Sequence, residues 1–223
     1  MTGLGKGQMK VVFVRHGEST GNAGAAAADH TAMTLSPDGL RQAEAIADQW
    51  RERPDLIAVS PYLRTQLTAQ PTARRFSKVP VEVLPMEEFT YLDPSRWSGT
   101  LRSERLPHIE AFWQKADPAY QDGPGAESFE LLLARVDRTL KLLQALPAQS
   151  LVYAFGHGQF MQAVRVALLF PHWSAKQKMK NFWAFNARHP IGNADQMEAD
   201  FNDGRWSTPN VERQHRPIDD MPG

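Results

Sequence analysis

Two histidines stand beside glycines just past short apolar runs: His16 in Arg15-His16-Gly17-Glu18, and His157 in Gly156-His157-Gly158-Gln159. The runs before them, Val11–Val14 and Leu151–Phe155, have the unbroken apolar character of strands buried on both faces of a sheet. Arg15 precedes His16, and Arg64 follows a third such run, Leu56–Val59. Open α/β sheets place ligands beyond the carboxyl ends of their strands, so two imidazoles and two guanidiniums are expected to converge there. A guanidinium fork suits a phosphate, glycine lets the backbone approach it, and a helix starting after His157 at Gly158 offers unpaired N–H groups. Arg64 falls in the first turn of a helix entered at Ser60-Pro61, where the dipole disfavours a cation unless an anion lies near.

A neutral imidazole is a competent nucleophile toward a phosphoryl group held in this way. Its far ring nitrogen needs a fixed acceptor, for which the Gly17 turn has backbone carbonyls. An alkoxide leaving phosphorus needs a proton, and Glu87 and Glu88, after a third-strand candidate at Lys78–Leu84, are the available acids. The competing readings are structural: a histidine buried for packing, or a glutamate pair solvated in a turn. A zinc site is disfavoured, because adjacent arginines repel a cation and neither HExxH nor cysteine is present. GxxxxGK[ST] is also missing, and neither a metal nor another cofactor is expected.

The remaining sequence bounds the setting. A chain of 223 residues can form one domain burying roughly 70% of the surface that its unfolded form exposes. Lys plus Arg and Asp plus Glu number 25 each, so no global field favours nucleic acid or an anionic membrane, and an anion site must be a local cluster. With no cysteine, disulfides and thiolate chemistry are excluded. No window of about 20 apolar residues and no signal-peptide hydrophobic region occur, so a cytoplasmic location is expected. The expected partner is a small-molecule phosphomonoester, with a homodimer the first choice if the chain assembles.

The elements that must carry these residues follow in order. Ser36-Pro37 caps a helix whose buried stripe is predicted as Leu40, Ala43, Ala47 and Trp50, and which ends near Arg53-Pro54. A helix after Ser60-Pro61 has Leu63, Leu67 and Gln70 at helical spacing. Ala23–Thr34 reads as a loop, with one helical turn at Ala25–Ala28. Phe89–Gly125 reads as a cap-like insertion with a helix from Thr100 to Lys115 and aromatics at Tyr91, Trp97, Phe112, Trp113 and Tyr120. Glu127–Leu146 is the clearest helix, and another runs from the second histidine to before Pro171. Phe182–Phe185 and Met197–Phe201 are expected to form an antiparallel edge pair, and Arg213–Gly223 a polar tail. The order predicts a single three-layer α/β/α sandwich with a mostly parallel sheet.

Arg15-His16-Gly17-Glu18-Ser19-x-x-Asn22 resembles the first motif of the histidine phosphatase superfamily, the phosphoglycerate mutase-like fold. Leu35-Ser36-Pro37-x-Gly39, Ser60-Pro61-x-x-Arg64-Thr65, Glu127-Ser128 with Arg135, and His157-Gly158 resemble its later segments in the same order. The resemblance implies that His16 is the phosphorylated nucleophile and that Arg15, Arg64 and His157 bind phosphoryl oxygens, with Asn22 assisting. It also implies that Glu88, rather than Glu87, is the general acid. Where the family often has Ser or Thr before the second histidine, this chain has Gly156, and the Trp-Glu-Gly that commonly follows the acid is Trp97-Ser98-Gly99 after a longer segment. The loop after Asn22 lacks the arginine and Gly-Trp typical of mutases, which favours a phosphatase.

Two-step phosphomonoester hydrolysis is therefore expected. The alternatives are phosphoglycerate mutase-type transfer, a protein phosphohistidine phosphatase, and a phosphate-binding module without turnover. Specificity should reside in Phe89–Gly125 and Ala23–Thr34. Arg102, Arg105 and Trp97 would either meet a second acidic or aromatic group of the substrate or lie on the outer surface.

Overall fold

Along β1 (Met9–Arg15) the side chains alternate between two cores, as the pleat of a strand requires. Val11 and Phe13 join one apolar cluster and Val12 and Val14 the other. Such a strand must be covered on both faces, and the rest of the chain supplies the covers. The computed structural model describes residues 8–21 and 31–209. Asn22, the turn expected at Ala25–Ala28 and the 213–223 tail lie outside the described residues.

Helices α1 (Pro37–Gln49) and α2 (Leu63–Arg75), on either side of β2 (Leu56–Val59), cover the face of Val12 and Val14. After β3 (Val81–Val83), the short α3 (Pro94–Trp97) and the longer α4 (Arg102–Lys115) form the cap segment. Helices α5 (Phe129–Gln144), α6 (Gly158–Leu169) and α7 (Ala175–Arg188) supply the second layer. Strands β4 (Leu151–Gly156), β5 (Gln196–Asn202) and β6 (Arg205–Ser207) complete a six-stranded sheet of order β3-β2-β4-β1-β5-β6. The first four strands in that order are parallel, and β5 and β6 are antiparallel additions. This is the expected three-layer α/β/α sandwich with a cap. Among the described residues, no helix is long and apolar enough to cross a membrane.

Register positions the site. Arg15 lies opposite Gly156, and Val59 opposite Phe155, so β1, β2 and β4 end level with one another. The pairing continues one residue further, with His16 N donating to Gly156 O and Ser60 N to Phe155 O, each at 3.0 Å.

Several local expectations change. Phe182–Phe185 is not a strand but the middle of α7, and the edge partner of β5 is β6. Ser174 caps α7 reciprocally with Gln177, and Met179, Phe182 and Phe185 share its buried face; their helical period outweighs the local apolar run. Leu40 is 51% exposed, and Ile46 takes its place in the buried stripe of α1, which stops at Gln49. On α2 the buried face is Arg64, Thr65, Thr68, Ala69, Pro71 and Thr72, not Leu63, Leu67 and Gln70. Polar groups are tolerated there because they are paired: Thr65 Oγ1 donates to Ser60 O, Thr68 Oγ1 to Arg64 O, and Thr72 Oγ1 accepts from Trp50 Nε1. The third strand shrinks to three exposed residues at the sheet edge.

Candidate active site

His16, Arg64 and His157 meet at the level strand ends and are buried to within 6% of full exclusion from solvent. The imidazole ring centres are 5.2 Å apart. Arg64 lies between the rings, its Nε donating to His16 Nε2 and its Nη2 to His157 Nδ1, both at 3.1 Å. Because a guanidinium can only donate, those two ring nitrogens must be acceptors. The other nitrogens then carry the protons. His16 Nδ1–H donates to Gly17 O at 2.7 Å, and His157 Nε2–H to Ser60 Oγ at 2.9 Å. Both tautomers are thus set by the protein, and His16 keeps the Nε2 lone pair free of a proton.

Burial, then the charge of Arg64, pushes His16 down to about 3 from its ordinary value. His157 is driven well below the usual imidazole range by the same two causes in the same order. Both rings are neutral near pH 7 as a result. Burial also lowers both arginines, while Glu88 opposes that shift at Arg15 and Arg64.

Each side chain is braced by a nearby element. The Gly17 turn donates its N–H to Thr68 Oγ1 of α2 at 3.0 Å. A Cβ on Gly17 would come within 2.6 Å of Gly39 O at the start of α1, so the turn depends on glycine. Tyr62 packs edge-on to His157 and stacks over the Arg64 guanidinium at 4.9 Å. Arg15 Nη1 donates to Ile191 O at 2.6 Å, and Asn193 Nδ2 to His16 O at 3.1 Å. These contacts come from the loop after α7, which the sequence reading had not connected to the site. Arg15 Nε is buried without a hydrogen-bond partner, a donor suited to an oxyanion.

The two glutamates separate. Glu88 lines the cleft beside Arg15, Arg64 and Gly158, whereas Glu87 turns toward Arg135, whose Nη1 donates to Glu87 O at 2.8 Å. Arg135 also holds Glu127 through two bonds of 2.8 and 2.6 Å, so α5 clamps the turn that presents Glu88. Glu88 Oε1 accepts from Gln159 N and Phe160 N. Two of the α6 amides expected to meet the ligand therefore meet Glu88, while Gly158 packs against Arg15. Glu18 also departs from the strand-exit cluster: Ser36 Oγ donates to its Oε1, and it joins β1 to the cap of α1. A Cβ on Gly156 would meet Met86 at an ordinary 3.8 Å, so no steric need requires glycine before His157.

A cleft of about 560 Å³ opens from Arg15, Arg64, Glu88 and Gly158 toward the cap. Trp97 and Arg105 lie on its wall rather than on the outer surface, while the Arg102 side chain lies outside the described residues. Among the described residues, no group of three or more His, Asp or Glu could hold a metal ion.

The fold has known counterparts. The fold is similar to a putative α-ribazole-5'-phosphate phosphatase from Escherichia coli K-12, with 19% identity, TM-score 0.70, and 90% of this chain and 94% of that chain covered. It is similar to a mutant phosphoserine phosphatase from Entamoeba histolytica in complex with phosphoserine, with 22% identity, TM-score 0.70, and 90% and 94% covered. A mycobacterial glucosyl-3-phosphoglycerate phosphatase in complex with vanadate is similar at 24% identity, TM-score 0.67, and 89% and 96% covered. No curated protein sequence matched the chain. At these identities the likenesses establish the fold, and the sequence itself supplies the family. Residues 11–211 match the histidine phosphatase superfamily (branch 1), and the chain belongs to it.

Proposed function

We propose that the protein hydrolyses a small organic phosphomonoester through a phosphohistidine on His16. The observation that carries this reading is the fixed tautomer of a neutral, buried imidazole whose unprotonated Nε2 faces Arg64. When the phosphoryl group enters, Arg64 exchanges its bonds to the two rings for bonds to phosphoryl oxygens, and the unpaired Arg15 Nε supplies another. His16 Nε2 attacks phosphorus in line while Glu88 gives its proton to the leaving oxygen. The Nδ1 proton stays on Gly17 O, which offsets the positive charge growing on the ring. Glu88, now a carboxylate, removes a proton from the water that attacks phosphohistidine, and its proton is restored. Once Arg64 has left His157 Nδ1, the charge of the ester favours a proton there, brought by the ester as its monoanion or taken from solvent, and Nδ1–H then donates to a phosphoryl oxygen. Positive charge from Arg15 and Arg64 stabilises the transferring group, and the scheme uses no metal ion.

Three structural relatives carry names of small phosphate esters, which supports a small substrate over a protein one. The test is His16→Ala, assayed on 4-nitrophenyl phosphate with circular dichroism as the folding control. A drop in kcat of at least about 10⁴-fold with the fold retained is expected for loss of a nucleophile. Turnover near the wild-type rate would overturn the reading.

A further inference from the structure

The wall of the cleft beyond the phosphoryl position has a composition that selects among esters. Helix α4 presents Arg105 and Ile109 one turn apart, and α7 presents Trp183 and Asn186 at a similar spacing. Tyr91, Leu92, Pro94 and Trp97 complete the wall. Trp97 uses its indole N–H on Asp122 Oδ2 at 3.2 Å and packs against the His108 ring at 4.1 Å, and the rest of its ring surface lines the cleft. Trp183 is 41% exposed and offers part of its indole to the cleft.

Arg105 differs from Arg96 of the cap and Arg135 of the clamp. Arg96 pairs with Asp122 and Arg135 with Glu127, each through a carboxylate. Arg105 has no carboxylate partner among the described residues: its Nη1 is steadied by Thr100 O at 2.8 Å and Thr100 Oγ1 at 3.3 Å. Among the described residues that line this cleft, Glu88, at the reacting end, is the sole carboxylate. A half-buried guanidinium held by a carbonyl, with no acid of its own, is suited to an anion brought by a ligand.

We propose that the substrate is a phosphomonoester whose leaving alcohol carries an aromatic ring and, beyond it, a carboxylate or similar anion. The ring lies against the Trp97, Ile109 and Trp183 surface, and the anion pairs with Arg105. A sugar phosphate fits less well, because its hydroxyls lose water to Leu92, Ile109 and Trp183 and gain few partners. This inference rests on the phosphatase reading above and extends it to the leaving group.

The test compares kcat/KM of the full chain for 4-carboxybenzyl phosphate, benzyl phosphate and glucose 6-phosphate, primary alkyl esters that differ chiefly in ring and charge. 4-Nitrophenyl phosphate reports whether the chain is a phosphatase at all. The expected order is carboxybenzyl above benzyl above glucose, with steps of about tenfold, since one paired charge or one buried ring has roughly that effect. Arg105→Met should collapse the carboxybenzyl-to-benzyl ratio to about one, and Arg105→Lys should restore part of it. Trp183→Ala should narrow the gap between benzyl and glucose esters. Glucose 6-phosphate turned over as well as benzyl phosphate would overturn the inference, as would Arg105→Met slowing all three esters alike. Failure on 4-nitrophenyl phosphate would instead remove the phosphatase reading, and this inference with it.

Discussion

The floor of the cleft and its cap are built on opposite plans. The floor is polar yet buried: His16, Ser60, Arg64, Thr68 and His157 are all nearly inaccessible, and each has a partner from a strand end or helix start. The cap is aromatic yet open, with Leu101 and Leu106 exposed, Trp183 of the adjoining α7 exposed beside it, and Phe112 alone buried among the described side chains of α4. It is anchored by the aromatic contacts of Phe89, Tyr91, Phe112 and Trp113 and by Asp93, which caps α3 and meets Gly125 N. A buried polar network has one arrangement in which every group is satisfied, whereas an aromatic cluster tolerates repacking. The difference gives the proposed reaction and the proposed selectivity separate supports, so that on this reading the choice of ester can change without disturbing the chemistry.

The sharpest way to break that division is Arg64→Met. It removes the donor shared by both imidazoles, so kcat/KM should fall by about 10³-fold on every ester alike. A loss confined to one ester would mean that floor and cap are not separable. Between pH 6.5 and about 4, stability against pH reports on the buried histidines of the floor. At lower pH the cap adds to it: hydrogen bonds from Ser95 hold the Asp93 carboxyl below its ordinary range, and at Asp122 the effect of burial is outweighed by hydrogen bonds that do the same. The unfolded chain protonates His16 near pH 6.5 but the folded chain only near about 3. This contribution is therefore complete above pH 6.5 and is lost as pH falls toward 3, by on the order of 4 kcal/mol. His157 acts in the same direction. Urea unfolding across that range should show the slope, and His16→Gln should make it shallower; an equal slope in both proteins would contradict the assignment. The smallest effect separates two glycines. Gly17→Ala forces a shift against Gly39 O and should cost about 1–3 kcal/mol of stability in thermal unfolding. Gly156→Ala, with only ordinary contact to Met86, should change kcat by less than about twofold.

The floor was more legible in the sequence than the cap, for the same reason. Arg15, His16, Arg64, His157 and Glu88 each follow a short apolar strand or its exit turn, so their convergence follows from register once the strands are parallel. The loop that holds Arg15 through Ile191 O was hidden because a backbone carbonyl has no side-chain signature. The buried threonine face of α2 was missed because hydrophobic spacing cannot detect hydroxyls paired with backbone. In α7, the run Phe182-Trp183-Ala184-Phe185 mimicked a strand, although Ser174 and Gln177 already marked a helix start. Which way Trp97 and Arg105 face depends on long-range packing of α3 and α4, and local spacing does not encode it.

The proposed hydrolysis turns on covalent transfer to one imidazole. Glu88→Gln given 4-nitrophenyl phosphate isolates that step, because this leaving group departs without an acid while the second step still needs the base. A burst of nitrophenolate stoichiometric with enzyme, followed by slow turnover, should leave the phosphoryl group on His16 Nε2 when the quenched protein is mapped. A phosphoryl group on His157 or any other residue, or steady hydrolysis by this variant with no burst, would contradict it.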